Sequence, residues 1–164
     1  IQVARAAGAS LVIVSEPVSA RANAALAVGA DAVIDPTTQD LEDEIIALTE
    51  GMGPRIVFDC AGLDTTLDQA FNLVHRGGQV VLVAVPWEPL ALKAVDWMAR
   101  EVGFQTSFGS IPEDWHISLK LLESGKVDVT AMLFEDGFIP LEGIQNAFEA
   151  LVKPTTQIQM LVKP

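Results

Sequence analysis

The chain has 164 residues, half of them hydrophobic and a fifth charged, so it can bury the core of about one domain. Its formal charge of −12 disfavours nucleic acid and anionic membrane surfaces as partners, because both repel an acidic face. The single cysteine excludes an internal disulfide and a cysteine-rich zinc knuckle, and no apolar run approaches the roughly 20 residues that span a membrane. We expect a soluble, cytoplasmic protein.

The first residues already follow a helical pattern. Val3, Ala4 and Ala7 share one helical face, and Gly8 stands where a helix-ending glycine belongs. No start signal precedes this helix, and the first residue is Ile. We therefore expect the chain to be part of a longer protein.

Strands and helices then alternate along the chain. Ser19 is predicted to cap the first full helix and Gly29 to end it. The strand that begins at Gln79 is almost continuously apolar, which is typical of a parallel strand covered by helices on both faces. The predicted elements are strand 11–15, helix 19–28, strand 32–34, helix 41–50, strand 55–59, a helix from 64 that ends before 77, strand 79–85, helix 94–101 and strand 103–109.

Five strands with helical crossovers predict an α/β fold with a doubly wound, Rossmann-type parallel sheet. The last third is different: helix 112–124 is followed by a strand-like piece within 132–140, helix 141–152 and an alternating strand at 157–164. This change of pattern indicates a tail that joins a second domain. We expect residues 1–125 to form a nucleotide-binding domain and residues 126–164 to return to another domain.

The residue that follows the first predicted strand is acidic. Glu16 comes directly after the apolar run 11–14 and Ser15, and an acidic side chain at the carboxyl end of such a strand can hold the adenosine ribose of a dinucleotide. In dinucleotide folds this residue follows a glycine-rich turn by roughly 20 positions, which places that turn before residue 1. The alternative is an ordinary loop glutamate.

Three stretches of the sequence resemble medium-chain, zinc-dependent alcohol dehydrogenases, and most closely the polyol, butanediol and threonine dehydrogenase branch. They are VIVSEPVSARANAALAVGADAVIDP, VFDCAGLDTTLDQAFNLVHRGGQVVLVAVP and the closing IPLEGIQNAFEAL with QIQMLVKP. The resemblance covers essentially the whole chain. It implies an NAD-binding domain without its first strand, followed by the return to the catalytic domain.

The resemblance also implies a set of cofactor-binding residues. Glu16 would bond the ribose hydroxyls and repel a 2′-phosphate, which favours NAD over NADP, and Arg21 would lie near adenine or a phosphate unless it is a solvated helix charge. Small residues and backbone groups at the carboxyl ends of later strands would line the cofactor, those at 84–86 on its nicotinamide side, while the Cys60 thiol is expected to be buried and without a redox role. These candidates are Cys60, Ala61, Gly62, Ala84, Val85, Pro86, Phe108 and Gly109.

By the same resemblance the full-length protein would transfer hydride from a secondary alcohol to NAD with a zinc ion bound outside this chain. His75 and His116 have no partners at ligand spacing, so we expect no catalytic residue and no metal ligand here. The chain alone is expected to bind NAD weakly and to be inactive. Its edge strand 103–109 would form a dimer or tetramer.

Three other functions remain open from the sequence. A zinc-free quinone or enoyl reductase of the same superfamily would share the fold, although such enzymes usually prefer NADP. A Rossmann-like methyltransferase also uses an acidic residue after its second strand, but its sheet ends in an antiparallel hairpin, whereas a helix follows residue 109 here. A non-catalytic scaffold is the third alternative.

Overall fold

The computed structural model describes residues 1–91, 93–132, 138–152 and 158–163. Helices and strands alternate along this part of the chain, as the hydrophobic pattern predicts. Two short 3₁₀ turns occupy Thr130–Met132 and Leu141–Gly143. The elements are α1 (Gln2–Ala6), β1 (Ile13–Ser15), α2 (Ser19–Ala27), β2 (Ala32–Ile34), α3 (Leu41–Leu48), β3 (Ile56–Asp59), α4 (Asp64–Leu73), β4 (Gln79–Leu82), α5 (Ala94–Met98), β5 (Gly103–Thr106), α6 (Pro112–Glu123), β6 (Phe138–Pro140), α7 (Ile144–Val152) and β7 (Leu161–Lys163).

The chain divides into two compact units. The first consists of Ile1–Leu41 together with Pro112–Pro164, and the second is the continuous stretch Glu42–Ile111. The expected boundary at residue 125 separates a nucleotide-binding domain from a segment of another domain. It is not a boundary between compact units, and it stays a prediction. None of the described helices has the length and apolar character needed to cross a membrane.

All strand pairs in the described residues are parallel. In the first unit β1 pairs with β2 and β6 pairs with β7, while the second unit has the order β3–β4–β5. Within each unit, the pairs β1–β2, β3–β4 and β4–β5 join strands that follow one another in the chain through a helical crossover, as in a Rossmann-type sheet. The expected α/β fold with a parallel Rossmann-type sheet is therefore confirmed.

The core of the second unit lies between its sheet and α4. Leu67, Phe71 and Val74 follow one another at helical spacing, and all three are buried against Val80 and its neighbours, as the periodicity predicts. Phe71 also stacks on Trp97, with ring centroids 4.8 Å apart. This packing gives a rigid support for the carboxyl ends of β3 and β4.

In the first unit, two sets of polar contacts join distant parts of the chain. Arg5 pairs with Asp31 and also donates to the carbonyls of Ala9 and Ser10. Gln2 and Asp128 exchange two hydrogen bonds, from the Gln2 amide to the Asp128 carbonyl at 2.7 Å and from the Asp128 N–H to Gln2 Oε1 at 2.6 Å. The second contact fixes α1 to the segment after α6.

Several predicted strands are longer than the observed ones. Strand β1 begins at Ile13 rather than at residue 11, because the Asp31 carboxylate accepts the N–H of Val12 at 2.7 Å. Strand β4 ends at Leu82: the N–H of Val83 still makes the regular ladder bond to the carbonyl of Asp59, but the N–H of Ala84 turns to the same carbonyl. Strand β5 ends at Thr106 rather than at residue 109.

Two further expectations about helices need correction. Ser19 does not cap α2: the cap position is Val18, whose N–H donates to Glu16 Oε1 at 2.8 Å. Helix α6 buries none of its residues, and Trp115 and Leu119 on its predicted apolar face are exposed. Gly29 does end α2, with φ +97°. In the predicted tail, residues 133–137 and 153–157 lie outside the described residues.

Candidate functional site

Glu16 lies immediately after β1, and its carboxylate is held in place by the neighbouring backbone. Its own N–H donates to the carbonyl of Ile34 at 3.0 Å, which extends the pairing of β1 with β2. Its side-chain Oε1 accepts the N–H of Val18 at 2.8 Å, and the residue is half-buried. No described residue donates to the second carboxylate oxygen, Oε2. The side chain is thus oriented and keeps one acceptor for a ligand.

Arg21 lies on the first turn of α2 and is exposed. Neither a hydrogen bond nor an ion pair of its guanidinium is found among the described residues. The structure therefore gives it no role, and its contact with adenine or phosphate stays a prediction. Glu16 and Arg21 belong to the first unit, and the other eight candidates belong to the second.

The loop after β3 is built around a buried carboxylate. Asp59, the last residue of β3, is 4% exposed. Its Oδ1 accepts the N–H groups of Ala61 and Gly62, both at 2.8 Å, and its Oδ2 accepts the hydroxyl of Thr66 at 2.8 Å. Burial of a carboxylate is costly unless such donors surround it, so the loop conformation and the buried charge depend on each other.

The end of β4 is joined to the same loop. The carbonyl of Asp59 accepts the N–H groups of Val83 at 2.8 Å and of Ala84 at 3.2 Å. Gly62 has φ +69°, and a Cβ on it would lie 3.0 Å from the Ala84 Cβ and 3.4 Å from the Pro86 nitrogen. The structure therefore brings together residues 60–62 and 84–86, the two groups of small residues that the sequence predicted.

Cys60 differs in part from the expectation. The residue is exposed rather than buried. Partial desolvation of the thiol raises its pKa, and the negative charge of the adjacent Asp59 raises it further. A thiol with a raised pKa is protonated near neutral pH and is a poor nucleophile, in keeping with the absence of a redox role.

Phe108 and Gly109 lie beyond the end of β5. Phe108 is 87% exposed, and Gly109 has φ +69° with open space around its Cα. No described contact joins these two residues to the loops at 60–62 and 84–86. Their place in a cofactor site stays a prediction.

The residues that the sequence reasoning missed are Asp59 and Thr66. Asp59 looks like a turn residue at the end of an apolar strand, and Thr66 like an ordinary residue in the first turn of a helix. One signal was present: by strand alternation Asp59 shares the inward face of β3 with Val57, where an acidic side chain requires donors.

The edge formed by residues 60–62 and 84–86 limits which part of a dinucleotide could lie against it. The missing Cβ of Gly62 is what lets Ala84 and Pro86 pack closely against this loop, and the N–H groups at positions 61 and 62 already donate to Asp59. A phosphate needs free N–H donors and would be repelled by the carboxylate, so this edge does not suit the pyrophosphate. Metal ions have no comparable fit, since no cluster of three His, Cys, Asp or Glu side chains occurs in the described ranges.

Comparison with known proteins identifies the family. The profile of the zinc-binding dehydrogenases matches residues 1–124. The chain belongs to the zinc-binding dehydrogenase family. Among curated relatives, it is 32% identical to L-threonine 3-dehydrogenase from Pyrococcus furiosus over 92% of this chain and 44% of that protein. It is 29% identical to L-idonate 5-dehydrogenase from Vitis vinifera, over 96% of this chain and 44% of that protein.

Solved structures of the family have the same fold. The 2R,3R-butanediol dehydrogenase from Bacillus subtilis matches with a TM-score of 0.88 and 25% identity, over 99% of this chain and 46% of that one. A zinc-binding dehydrogenase from Sinorhizobium meliloti, solved with NADP, matches with a TM-score of 0.85 and 28% identity, over 100% of this chain and 48% of that one. The zinc-binding dehydrogenase chain described here thus spans a little under half the length of these relatives. The resemblance inferred from the sequence is confirmed.

Proposed function

We propose that this chain is the cofactor-binding part of an NAD-dependent alcohol or polyol dehydrogenase. Family membership supports a small-molecule alcohol as substrate, because the named relatives oxidise idonate, threonine or sorbitol according to their names. The observation that carries the cofactor assignment is the oriented carboxylate of Glu16 at the carboxyl end of β1. The zinc-free reductase and the methyltransferase are not favoured by these relatives.

In this proposal each described group has a binding or orienting role. Glu16 would accept hydrogen bonds from the ribose hydroxyls of the adenosine half through its free oxygen. The loops at 60–62 and 84–86 would hold the nicotinamide half by shape, because their N–H groups are largely satisfied within the protein. When bound, NAD accepts a hydride from the carbon that carries the alcohol.

The choice between NAD and NADP depends on the charge at position 16. A carboxylate that bonds a ribose diol leaves no room for a 2′-phosphate and repels it. One structural neighbour of 28% identity was solved with NADP, so family membership alone does not decide between the two cofactors. We assign NAD on the strength of Glu16 alone.

The test of the proposed function uses the full-length protein and a panel of alcohols. Sorbitol, L-idonate, L-threonine and (2R,3R)-butanediol are offered with NAD, and reduction is followed by NADH absorbance. We expect oxidation of at least one of these alcohols. Failure of all four, combined with no detectable NADH binding by calorimetry, would contradict the proposal.

We also propose that the full-length protein is a homo-oligomer, a dimer or a tetramer, that assembles through β5. This strand pairs with β4 on one side, all four of its residues are exposed, and it carries no charged side chain. Gly103 and Ser107 donate their N–H groups to β4, so by alternation those of Phe104 and Thr106 point to the other side. Sedimentation of the full-length protein tests this, and a monomer contradicts it. A cytoplasmic location stays a prediction from composition.

A further inference from the structure

Asp59 is a buried titratable group to which the proposed function gives no direct contact with substrate or cofactor. No cation pairs with it among the described residues, and its carboxylate is instead surrounded by three donors from positions 61, 62 and 66. A buried carboxylate without a cation depends on every donor it has. The loop that supplies those donors therefore cannot change its conformation without exposing the Asp59 carboxylate to water or leaving it without hydrogen-bond donors.

Thr66 completes the arrangement from the first turn of α4. Its hydroxyl donates to Asp59 Oδ2, and its oxygen accepts the N–H of Leu63 at 3.3 Å. The side chain thus connects the buried carboxylate to the start of a helix that is itself packed into the core through Leu67 and Phe71. This contact makes the position of the loop as fixed as that of the helix.

The backbone of Asp59 also positions the second loop, residues 84–86. Its carbonyl accepts two N–H groups, from Val83 and Ala84, and the Ala84 side chain packs so closely on Gly62 that a Cβ there would lie only 3.0 Å from the Ala84 Cβ. The loops at 60–62 and 84–86 are therefore positioned relative to each other by one residue. Within the two loops, the N–H groups of Ala61, Gly62 and Ala84 are used internally, so these three are not available to bind an anion.

We propose that Asp59 and Thr66 are positioning residues for the nicotinamide half of the cofactor, acting by holding the two loops in register. The inference rests on the proposed NAD-binding function. It predicts that weakening the Thr66–Asp59 hydrogen bond lowers the affinity for the nicotinamide half. The affinity for the adenosine half, which Glu16 binds from β1, is unaffected. A residue that only stabilises the fold would not discriminate between the two halves.

The test compares two ligands on the full-length protein by titration calorimetry. NADH carries both halves of the cofactor, and ADP-ribose lacks the nicotinamide ring. Thr66→Val removes the hydroxyl with little change in volume, Thr66→Ser restores it, and Thr65→Val is the matched control because Thr65 is the exposed neighbour on the same turn. We expect Thr66→Val to lose NADH affinity by roughly tenfold, the effect of about one hydrogen bond to a charged group.

The same variant should bind ADP-ribose within about twofold of wild type, a difference too small to reflect a lost hydrogen bond. Thr66→Ser and Thr65→Val should bind both ligands like wild type. Equal losses for the two ligands, or no loss for either, would overturn the inference while leaving the proposed function intact. If wild type binds neither ligand, the proposed function fails and this inference with it.

If Thr66→Val does not give folded protein, a second variant tests the positioning role. Asp59→Asn keeps the Oδ1 acceptor for positions 61 and 62, and the Thr66 hydroxyl can turn to the Leu63 carbonyl 3.1 Å away. This variant should fold and show the same selective loss of NADH affinity, by a smaller factor. Asp68→Asn, on the exposed face of α4, is its control, and a loss shared equally by ADP-ribose refutes the positioning role.

Discussion

The end of α4 gives a quantitative test of how the second unit is held together. The guanidinium of Arg100 donates to the carbonyls of Phe71 at 2.7 Å and Asn72 at 2.8 Å, and it also bonds the carbonyl of Val74. These three carbonyls have no partner within α4, because the last turn of a helix leaves its acceptors open. Arg100→Met keeps much of the apolar stem and removes all three bonds.

The expected cost is about 3 kcal/mol, which is close to 1 kcal/mol for each bond. Hydrogen bonds to charged groups contribute about 1.5–3 kcal/mol, and we take a value below that range because water can reach part of this site after the substitution and solvate the three carbonyls. For a chain of this size the loss corresponds to a melting temperature roughly 6–12 °C lower. Differential scanning calorimetry and urea denaturation of the chain measure it.

Arg76→Met is the matched control, because Arg76 makes an exposed ion pair with Glu101 at 3.4 Å. Exposed pairs contribute about 0–1 kcal/mol, so this variant should melt within a few degrees of wild type. If Arg100→Met and Arg76→Met cost the same, the helix-end role of Arg100 is refuted.

Three further predictions address the loop, the first unit and the edge strand. Gly62→Ala should destabilise the chain by more than the roughly 1 kcal/mol expected for Gly77→Ala. Both glycines have positive φ, but only at Gly62 would the added Cβ contact another residue, Ala84. Equal melting temperatures of the two variants would refute this. The bond from the Val12 N–H and the contact with Arg5 lower the pKa of Asp31 below its ordinary 3.8, so wild type should exceed Asp31→Asn in stability at neutral pH. That advantage should persist down to about pH 4 and disappear as the pH falls through the lowered pKa, and a pH-independent difference in urea midpoints would contradict it. Thr106→Pro should convert the full-length oligomer to monomer, whereas Thr106→Val should not; an unchanged sedimentation coefficient for the proline variant counts against β5 as the interface.

The sequence was sufficient to predict the elements whose apolar residues repeat regularly. The buried face of α4, with Leu67 and Phe71, follows from helical spacing alone, and the parallel pairing follows from the alternation of strands and helices. Strand ends were less predictable. The N–H of Val83 still continues the β3–β4 ladder to the carbonyl of Asp59, but the N–H of Ala84 turns to that same carbonyl, and periodicity carries no information about where such a ladder ends.

Of the predicted site residues, the structure shows why 60–62 and 84–86 meet, while the cofactor contacts of Glu16, Arg21, Phe108 and Gly109 stay predictions. What could not be foreseen was the residue that holds the two loops, because a single aspartate at a strand end resembles any turn residue. The start of α2 is another example: capping by Ser19 was the sequence expectation, but Val18 holds the cap position without a side-chain cap bond, and its own N–H donates to Glu16. Side-chain contacts with the backbone depend on loop geometry, which the hydrophobic pattern does not encode.

The most direct measurement of the central claim is the cofactor preference of the full-length protein. Dissociation constants for NADH and NADPH are measured by calorimetry on wild type and on Glu16→Gln, which retains an acceptor for the Val18 N–H but loses the charge. Two hydrogen bonds from a ribose diol to a carboxylate, at about 1.5–3 kcal/mol each, predict that wild type prefers NADH by roughly 100-fold or more. Glu16→Gln should lose most of that preference. Equal binding of NADH and NADPH by wild type would contradict the role of Glu16 and the assignment of NAD.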